Sequence, residues 1–175
     1  MKSVTFKGQA TFLQGTIPKL GDMAKNFILV DRDLQSRELS HFQKAKKVLI
    51  SVVSLDTSVC LLETQHLNAL AKKYPHVDFL LISSDLPFAL QRICLGEKID
   101  NITPLSMMRS KDFGKDYGVL IASGPLEGLL ARALFAIDSM GKIIYSAICP
   151  EITQEPSYSD LISIIGLSLI HISEP

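Results

Sequence analysis

The sequence contains few cysteines, no excess of either charge and no long apolar run. Three cysteines in 175 residues cannot supply the disulfide framework on which small secreted domains depend. Eighteen basic residues balance eighteen acidic ones, whereas nucleic-acid-binding proteins usually carry a basic excess or stripe. The longest apolar stretch near the C-terminus, residues 161–172, is well short of the roughly 20 residues that span a bilayer. We therefore expect a protein that binds neither nucleic acid nor membrane.

The N-terminal sequence lacks the features of a secretory signal. The stretch MKSVTFKGQATFLQG has no continuous apolar segment and is typical of the start of a fold. Hydrophobic residues make up 47% of the chain, enough for one domain with a single core. Together with the low cysteine count, this pattern predicts a cytoplasmic protein.

Two further patterns are missing around the cysteines. Cys60 has Thr57 three positions before it and Glu63 three positions after it, so there is no CxxC motif. An ordinary dithiol reductase is therefore disfavoured. The four histidines show no metal-ligand spacing with the cysteines, so we expect neither a metal nor a cofactor.

Alternating strand and helix patterns are what the sequence does contain. Strands are predicted over 4–13 (a hairpin turning at Lys7 and Gly8), 26–31, 47–54, 77–84, 102–107, 129–138 and 142–148. Helices are predicted over 57–74, from Asp85 to about 98, over 110–118 and over 156–166, with a short helix or turn at 38–45. Alternating strands and helices predict an α/β fold with a parallel core, to which the late hairpin adds antiparallel strands. This mixed central sheet flanked by helices, with an N-terminal β-hairpin, is the thioredoxin-like plan.

Two helices receive more detailed predictions. The apolar spacing predicts that the first long helix buries the face carrying Leu62, His66, Ala69, Leu70 and Lys73. In the second helix, Asp85 is predicted as the N-cap and Pro87 as a residue of the first turn.

Cys60 lies where a strand passes into a helix. With Thr57 as the N-cap, Cys60 occupies the third helical position. Unsatisfied N–H groups and the positive end of the helix dipole favour a thiolate there, and the thiolate is the nucleophilic form of cysteine. A buried cysteine without any function would nevertheless give the same local sequence.

Longer segments resemble a known family. The stretch SLDTSVC (54–60) resembles the active-site loop of peroxiredoxins, Pro-x-x-x-Thr-x-x-Cys. The stretch ISSDLPFALQRIC (82–94) is similar to the second signature of the thiol peroxidase type, the atypical two-cysteine peroxiredoxins. Residues 116–138 and 142–158 also resemble that group, and the match extends from Val4 to Leu161.

The resemblance implies a role for each matching residue. Cys60 corresponds to the peroxidatic cysteine, which attacks the peroxide and becomes a sulfenic acid. Thr57 corresponds to the motif threonine, which donates a hydrogen bond to the thiolate and orients the peroxide. Arg132 corresponds to the family arginine, which stabilises the thiolate and the polarised peroxide. Cys94 corresponds to the resolving cysteine, which forms an intramolecular disulfide that thioredoxin then reduces.

The resemblance also implies a homodimer and a conformational change. Cys60 and Cys94 lie on different predicted helices, whereas a disulfide needs Cα atoms within about 7 Å. One or both first turns must therefore unfold locally during the cycle, and Gly96 could ease that movement.

Three departures from the family pattern affect the interpretation. Val53 replaces the motif proline, so we expect a looser site and slower turnover. Cys149 matches no family cysteine and is interpreted as a half-buried residue at a strand end. The segment 166–175 continues past the usual end of the family helix. We interpret it as a non-native extension of a domain formed by residues 1–165.

Three functions remain open at this point. The first is a thioredoxin-dependent peroxidase that reduces hydrogen peroxide and organic hydroperoxides. The second is a peroxide sensor or relay that uses the same residues on a partner protein. The third, suggested by Val53, is a thioredoxin-fold module with weakened peroxidase activity. The buried charge of Arg132 favours a functional site, since an unpaired buried charge is costly.

Overall fold

The computed structural model describes residues 2–173 of the chain and the side chains of residues 2–166. The strands of this part are β1 (Ser3–Phe6), β2 (Gln9–Gln14), β3 (Ile28–Val30), β4 (Ser36–Glu38), β5 (Lys46–Ser51), β6 (Val77–Ser83), β7 (Thr103–Ser106), β8 (Leu120–Ile121), β9 (Ala133–Ile137) and β10 (Ile143–Ile148). The helices are α1 (Ser58–Lys73), α2 (Pro87–Gly96), α3 (Asp112–Asp116) and α4 (Ser159–Ser173), with a 3₁₀ turn at Leu39–His41.

The strands form two sheets. A seven-stranded sheet has the order β10-β9-β5-β6-β7-β3-β4, and β1, β2 and β8 form a smaller antiparallel sheet. In the large sheet β5, β6 and β7 are parallel, while β9 joins the other side of β5 in antiparallel orientation. The predicted mixed α/β sheet with an N-terminal hairpin is confirmed.

The centre of the sheet follows directly from the sequence. The run KVLISVVS and the run VDFLLISS are apolar on both faces of the strand, as expected for strands covered by helices on both sides. Val48, Leu49 and Ile50 of β5 pair with Phe79, Leu80 and Leu81 of β6, and all six are almost completely buried.

The buried face of α1 differs from the prediction. Leu62 is 44% exposed, and His66 and Ala69 also face solvent. The residues that α1 buries are Cys60, Glu63, Thr64, Leu67, Asn68 and Ala71. The prediction was wrong because half of the residues on the buried face are polar, so this face has no apolar periodicity in the sequence. Polar side chains are tolerated there because partners satisfy them: Asn68 Oδ1, for example, accepts a hydrogen bond from the backbone N–H of Asn101 at 2.8 Å.

Helix boundaries give two further corrections. The N-cap position of α2 is Leu86, which makes no side-chain capping bond, so Asp85 is not the cap. Pro87 does open the helix as predicted. Helix α4 begins at Ser159 rather than at 156 and continues to Ser173 rather than ending at 166. Residues 174–175 of the predicted tail lie outside the described residues.

Two short strands, β4 and β8, were not predicted from the sequence and contain three and two residues. No helix within residues 2–173 is long and apolar enough to cross a membrane.

The sheet brings two distant segments together at one edge. Strand β5 ends at Ser51, and the chain then passes through a loop into α1, which carries Cys60 near its start. Ser51 pairs with Ala133, the first residue of β9. Arg132 immediately precedes β9, so this pairing places it beside the loop that leads to Cys60.

Candidate active site

Cys60 occupies the third position of α1, as predicted. Thr57 is the N-cap residue with an extended backbone, and Ser58 is the first helical residue. The Cys60 side chain is fully buried at 0% exposure and is not in a disulfide. The first turn of a helix presents free N–H groups and a positive dipole end, which favour an anion at this position.

Arg132 is buried beside Cys60 and is held by three hydrogen bonds. Its Nε and Nη2 donate to the backbone carbonyl of Ile152 at 2.9 and 2.8 Å, and its Nη1 donates to Glu63 Oε2 at 2.5 Å. Arg132 is 2% exposed and Glu63 is 0% exposed. No partner for this buried charge was predicted from the sequence, and the structure shows that the partner is Glu63.

Glu63 is the functional residue most clearly missed from the sequence. It lies three residues after Cys60, so both side chains lie on the same face of α1. A carboxylate on the face of the candidate nucleophile, together with one buried arginine elsewhere, is the signal that could have identified the pair.

The charges at this site oppose one another. Burial disfavours the charge of Arg132, but the negative charges of Cys60 and Glu63 outweigh it and raise the pKa of Arg132. Burial raises the pKa of Glu63 to about 7, against the opposing attraction of Arg132. Within the described residues, Glu63 Oε1 accepts no hydrogen bond. Burial therefore works against the charged form of Glu63, while Arg132, which faces Cys60, favours it.

Thr57 makes a different hydrogen bond from the one predicted. Its Oγ1 donates to the backbone carbonyl of Ser54 at 2.9 Å rather than to the Cys60 sulfur. A hydroxyl has one proton and two acceptor lone pairs. Because that proton is directed at Ser54, the Thr57 oxygen is left to accept a hydrogen bond from a molecule in front of Cys60.

A largely apolar cavity of about 350 Å³ reaches Cys60. Its lining residues are Phe6, Lys7, Val53, Thr57, Ser58, Val59, Cys60, Leu126, Arg132, Ile152 and Thr153. Three of the four predicted site residues therefore meet in one cavity. Val53, which replaces the motif proline, is 7% exposed and keeps this wall apolar.

Glu151 links two walls of the cavity, and no local pattern in the sequence predicts this role. Its carboxylate accepts hydrogen bonds from Thr5 Oγ1 and Gly8 N, both at 2.9 Å, in the N-terminal hairpin. It also accepts from Thr153 Oγ1 at 2.7 Å and from Thr153 N at 2.8 Å. Hydrogen bonds from Thr153, Gly8 and Thr5 lower the pKa of Glu151 to about 2.

Cys94 lies apart from this cavity. It is in the last turn of α2 and lines a separate cavity of about 720 Å³, whose walls include Asp31, Arg32 and Lys98. Burial raises the pKa of Cys94 to about 11, and the nearby charge of Arg32 only partly opposes this. The structure thus does not join Cys94 to the other three predicted residues.

Cys149 follows β10 directly and is 6% exposed. Its backbone N–H donates to the carbonyl of Arg132 at 2.9 Å. Burial raises the pKa of its thiol to about 11. Within the part of the chain that the structure describes, no three His, Cys, Asp or Glu side chains form a group suited to a metal ion.

Comparison with known proteins identifies the family. The Redoxin family model matches residues 19–162. A thiol peroxidase of Leptospira interrogans is 43% identical over 171 residues, covering 97% of this chain and 100% of its own. A thiol peroxidase of Helicobacter pylori is 42% identical over 165 residues, covering 94% of this chain and 99% of its own.

Solved structures agree with the sequence matches. The crystal structure of a peroxiredoxin-like protein from Aquifex aeolicus superposes with a TM-score of 0.90 at 40% identity, covering 95% of this chain and 97% of its own. A thiol peroxidase from Chromobacterium violaceum superposes with the same TM-score of 0.90 at 25% identity, covering 97% and 98%. The thioredoxin-like fold is thereby confirmed, and the chain belongs to the thiol peroxidase type of the peroxiredoxin family.

Proposed function

We propose that the chain reduces hydrogen peroxide and organic hydroperoxides with Cys60 as the nucleophile and thioredoxin as the final reductant. The observation that carries this proposal is the single apolar cavity in which Cys60, Arg132 and Thr57 meet. The family membership supports a thiol-dependent peroxidase, and the cavity supports the assignment of Cys60 to the chemical step.

In the first step the Cys60 thiolate attacks one peroxide oxygen. The S–O bond forms as the O–O bond breaks, which leaves a sulfenic acid on Cys60 and releases water or an alcohol once the leaving oxygen takes up a proton. Arg132, held on Ile152 O and Glu63, stabilises the negative charge that moves from sulfur to the leaving oxygen. Thr57 Oγ1 donates its proton in a hydrogen bond to Ser54 O, so its lone pairs can accept a hydrogen bond from the O–H of the peroxide and orient it.

In the second step Cys94 resolves the sulfenic acid. The Cys94 sulfur attacks the Cys60 sulfur, an S–S bond forms, and the hydroxyl leaves with the thiol proton as water. The cysteines line different cavities, so this step requires local unfolding of α1, α2 or both. Two thiols of thioredoxin then reduce the disulfide by exchange and become oxidised themselves.

The cavity also bears on the range of substrates. Phe6, Val53, Leu126 and Ile152 provide an apolar lining that suits the alkyl part of an organic hydroperoxide. The reacting O–O group would lie between Thr57 and Arg132. A cytoplasmic location and a homodimer, both expected from the sequence, remain part of the proposal.

The proposal is tested by rapid mixing of the reduced protein with peroxide, followed by alkylation and mass spectrometry. Wild-type protein should form a Cys60–Cys94 disulfide and should turn over with thioredoxin. The Cys60→Ser variant should not consume peroxide, and Cys149→Ser, a matched buried thiol, should behave as wild type. Retained peroxide consumption by Cys60→Ser would reject the proposal. Fast oxidation with little thioredoxin turnover would instead favour the sensor.

A further inference from the structure

The side chain of Asp85 joins the two cysteine-bearing segments. Its Oδ1 accepts a hydrogen bond from Ser54 Oγ at 2.7 Å. Its Oδ2 accepts from the backbone N–H of Leu55 at 2.8 Å and from Ser83 Oγ at 2.9 Å. We call these four residues the Asp85 clamp. The clamp explains why Asp85 does not cap α2: its carboxylate is turned toward the loop before α1.

On one side, the clamp reaches the loop that positions Cys60. Ser54, which donates a hydrogen bond to Asp85, makes two further hydrogen bonds within this loop. Its carbonyl accepts the Thr57 hydroxyl at 2.9 Å, and its Oγ accepts the backbone N–H of Asp56 at 3.1 Å. The N-cap residue of α1 is therefore held, through Ser54, by a carboxylate from another segment.

On the other side, the clamp fixes the start of the helix that carries Cys94. Asp85 precedes the N-cap Leu86, and the Asp85 carbonyl accepts Ser106 Oγ at 2.5 Å from the end of β7. Because Leu86 makes no side-chain capping bond, the contacts of Asp85 anchor this end of α2 to the sheet.

We propose that Asp85 is a positioning residue that holds both segments in the peroxide-reactive arrangement and limits how fast they leave it to form the disulfide. The disulfide part of this inference rests on the proposed function. Hydrogen bonds to a carboxylate are stronger than those between neutral groups. Movement of the Cys60 loop away from α2 breaks the bonds from Ser54 and Leu55, so their loss adds to the barrier of resolution.

The clamp thereby sets a competition at the Cys60 sulfenic acid. In one outcome Cys94 attacks, the S–S bond forms and water leaves. In the other, a second peroxide transfers an oxygen atom to the sulfenate, giving a sulfinic acid and water or an alcohol. The second reaction needs the folded cavity, whereas the first needs its opening. A weaker clamp should therefore slow peroxide attack and favour the disulfide over the sulfinic acid.

Hydrogen exchange of the reduced protein tests the physical link without any peroxide. Asp85→Asn keeps the size of the side chain but removes its charge and one acceptor oxygen. We expect amide exchange in residues 54–60 and 86–94 to rise together by about tenfold, the effect of losing one bond to a charged group. Ser54→Ala should give a smaller rise in both segments. Asp56→Asn, which removes a charge from the same loop without touching the clamp, should change neither.

Rapid-mixing kinetics test the consequence. In Asp85→Asn, Cys60 oxidation should slow while Cys60–Cys94 disulfide formation accelerates, and the sulfinic acid fraction at high peroxide should fall. Opposite changes in two rates would not arise from a general loss of structure. Exchange that rises in only one segment, or two rates that fall together, would overturn the inference. Failure of the wild-type protein to form sulfenic acid would reject the proposed function instead, because the exchange experiment stands without it.

Discussion

Cys60 and Cys94 are both buried thiols on helices, but their surroundings are opposite. Cys60 is in the first turn of α1, next to the Arg132–Glu63 pair and a cavity. Cys94 is in the last turn of α2, where the negative end of the helix dipole disfavours an anion and burial raises its pKa to about 11. Burial is therefore common to both thiols and cannot distinguish them. Under the proposed function, the position along a helix and the charges that face the sulfur distinguish the attacking thiol from the resolving one.

Removal of each thiol separately should have the largest effect and tests whether the two cysteines differ. Cys60→Ser should abolish peroxide reduction, because the nucleophile is lost. Cys94→Ser should still oxidise once at a nearly unchanged rate and then accumulate sulfinic acid, because no thiol resolves the sulfenic acid. Mass spectrometry after a single addition of peroxide distinguishes the two. Equal loss of oxidation in both variants would show that the cysteines do not differ as the structure indicates.

Removal of the charge facing Cys60 comes next in size. Arg132→Met should slow Cys60 oxidation by about 10²- to 10³-fold, since a donor aimed at developing charge is lost. The variant also leaves Glu63 buried without its partner, which costs about 3–5 kcal/mol of stability. The double variant Arg132→Met/Glu63→Gln removes both charges and serves as the control. It should regain stability but not the oxidation rate measured by stopped flow.

The Glu63 carboxyl should make the stability of the protein depend on pH. Burial raises the pKa of Glu63 from 4.5 to about 7, so the folded state holds the proton more tightly than the unfolded chain does. This contribution to stability is present at low pH and is lost as the pH rises from 4.5 through about 7. Wild-type protein should therefore lose up to about 3 kcal/mol more stability than Glu63→Gln over this range. Urea unfolding of both proteins at several pH values measures the difference, and parallel curves would contradict it.

Val53 provides the mildest test. Val53→Pro restores the motif residue in a wall that is already apolar and 7% exposed. We expect faster Cys60 oxidation by less than about tenfold, equivalent to about 1.4 kcal/mol, with no effect on the reactivity of Cys94. A much larger gain measured by stopped flow would favour the weakened-module interpretation of the natural sequence.

Local sequence signals predicted the sheet and the position of Cys60 well. The runs that became β5 and β6 are mostly apolar, and the position of Cys60 after the N-cap residue Thr57 depends only on neighbouring residues. The short strands β4 and β8 have no pattern of their own and exist because neighbouring strands supply their hydrogen bonds.

The polar contacts of the site were harder to predict because their partners are distant along the chain. Glu63 pairs with Arg132, 69 residues away along the chain. Glu151 binds Thr5 and Gly8, which are 146 and 143 residues away. Asp85 is a residue type that often caps helices, but it lies one residue before the N-cap Leu86, and its carboxylate accepts hydrogen bonds from Ser54 and Leu55 instead. Propensity describes what a residue can do locally, whereas these contacts depend on the folded arrangement.

The Cys60 cavity draws its walls from segments at opposite ends of the chain. Thr5 N donates to Pro150 O at 2.7 Å, and Ile152 N donates to Thr5 O at 2.8 Å. The Ile152 carbonyl in turn accepts hydrogen bonds from the Arg132 guanidinium. During synthesis, Cys60 therefore leaves the ribosome well before the residues that complete its cavity. A nascent chain that ends before Ile152 has the thiol but neither the held arginine nor the closed cavity. Under the proposed function, Cys60 therefore becomes reactive toward peroxide only after Ile152 has been made and has folded into place.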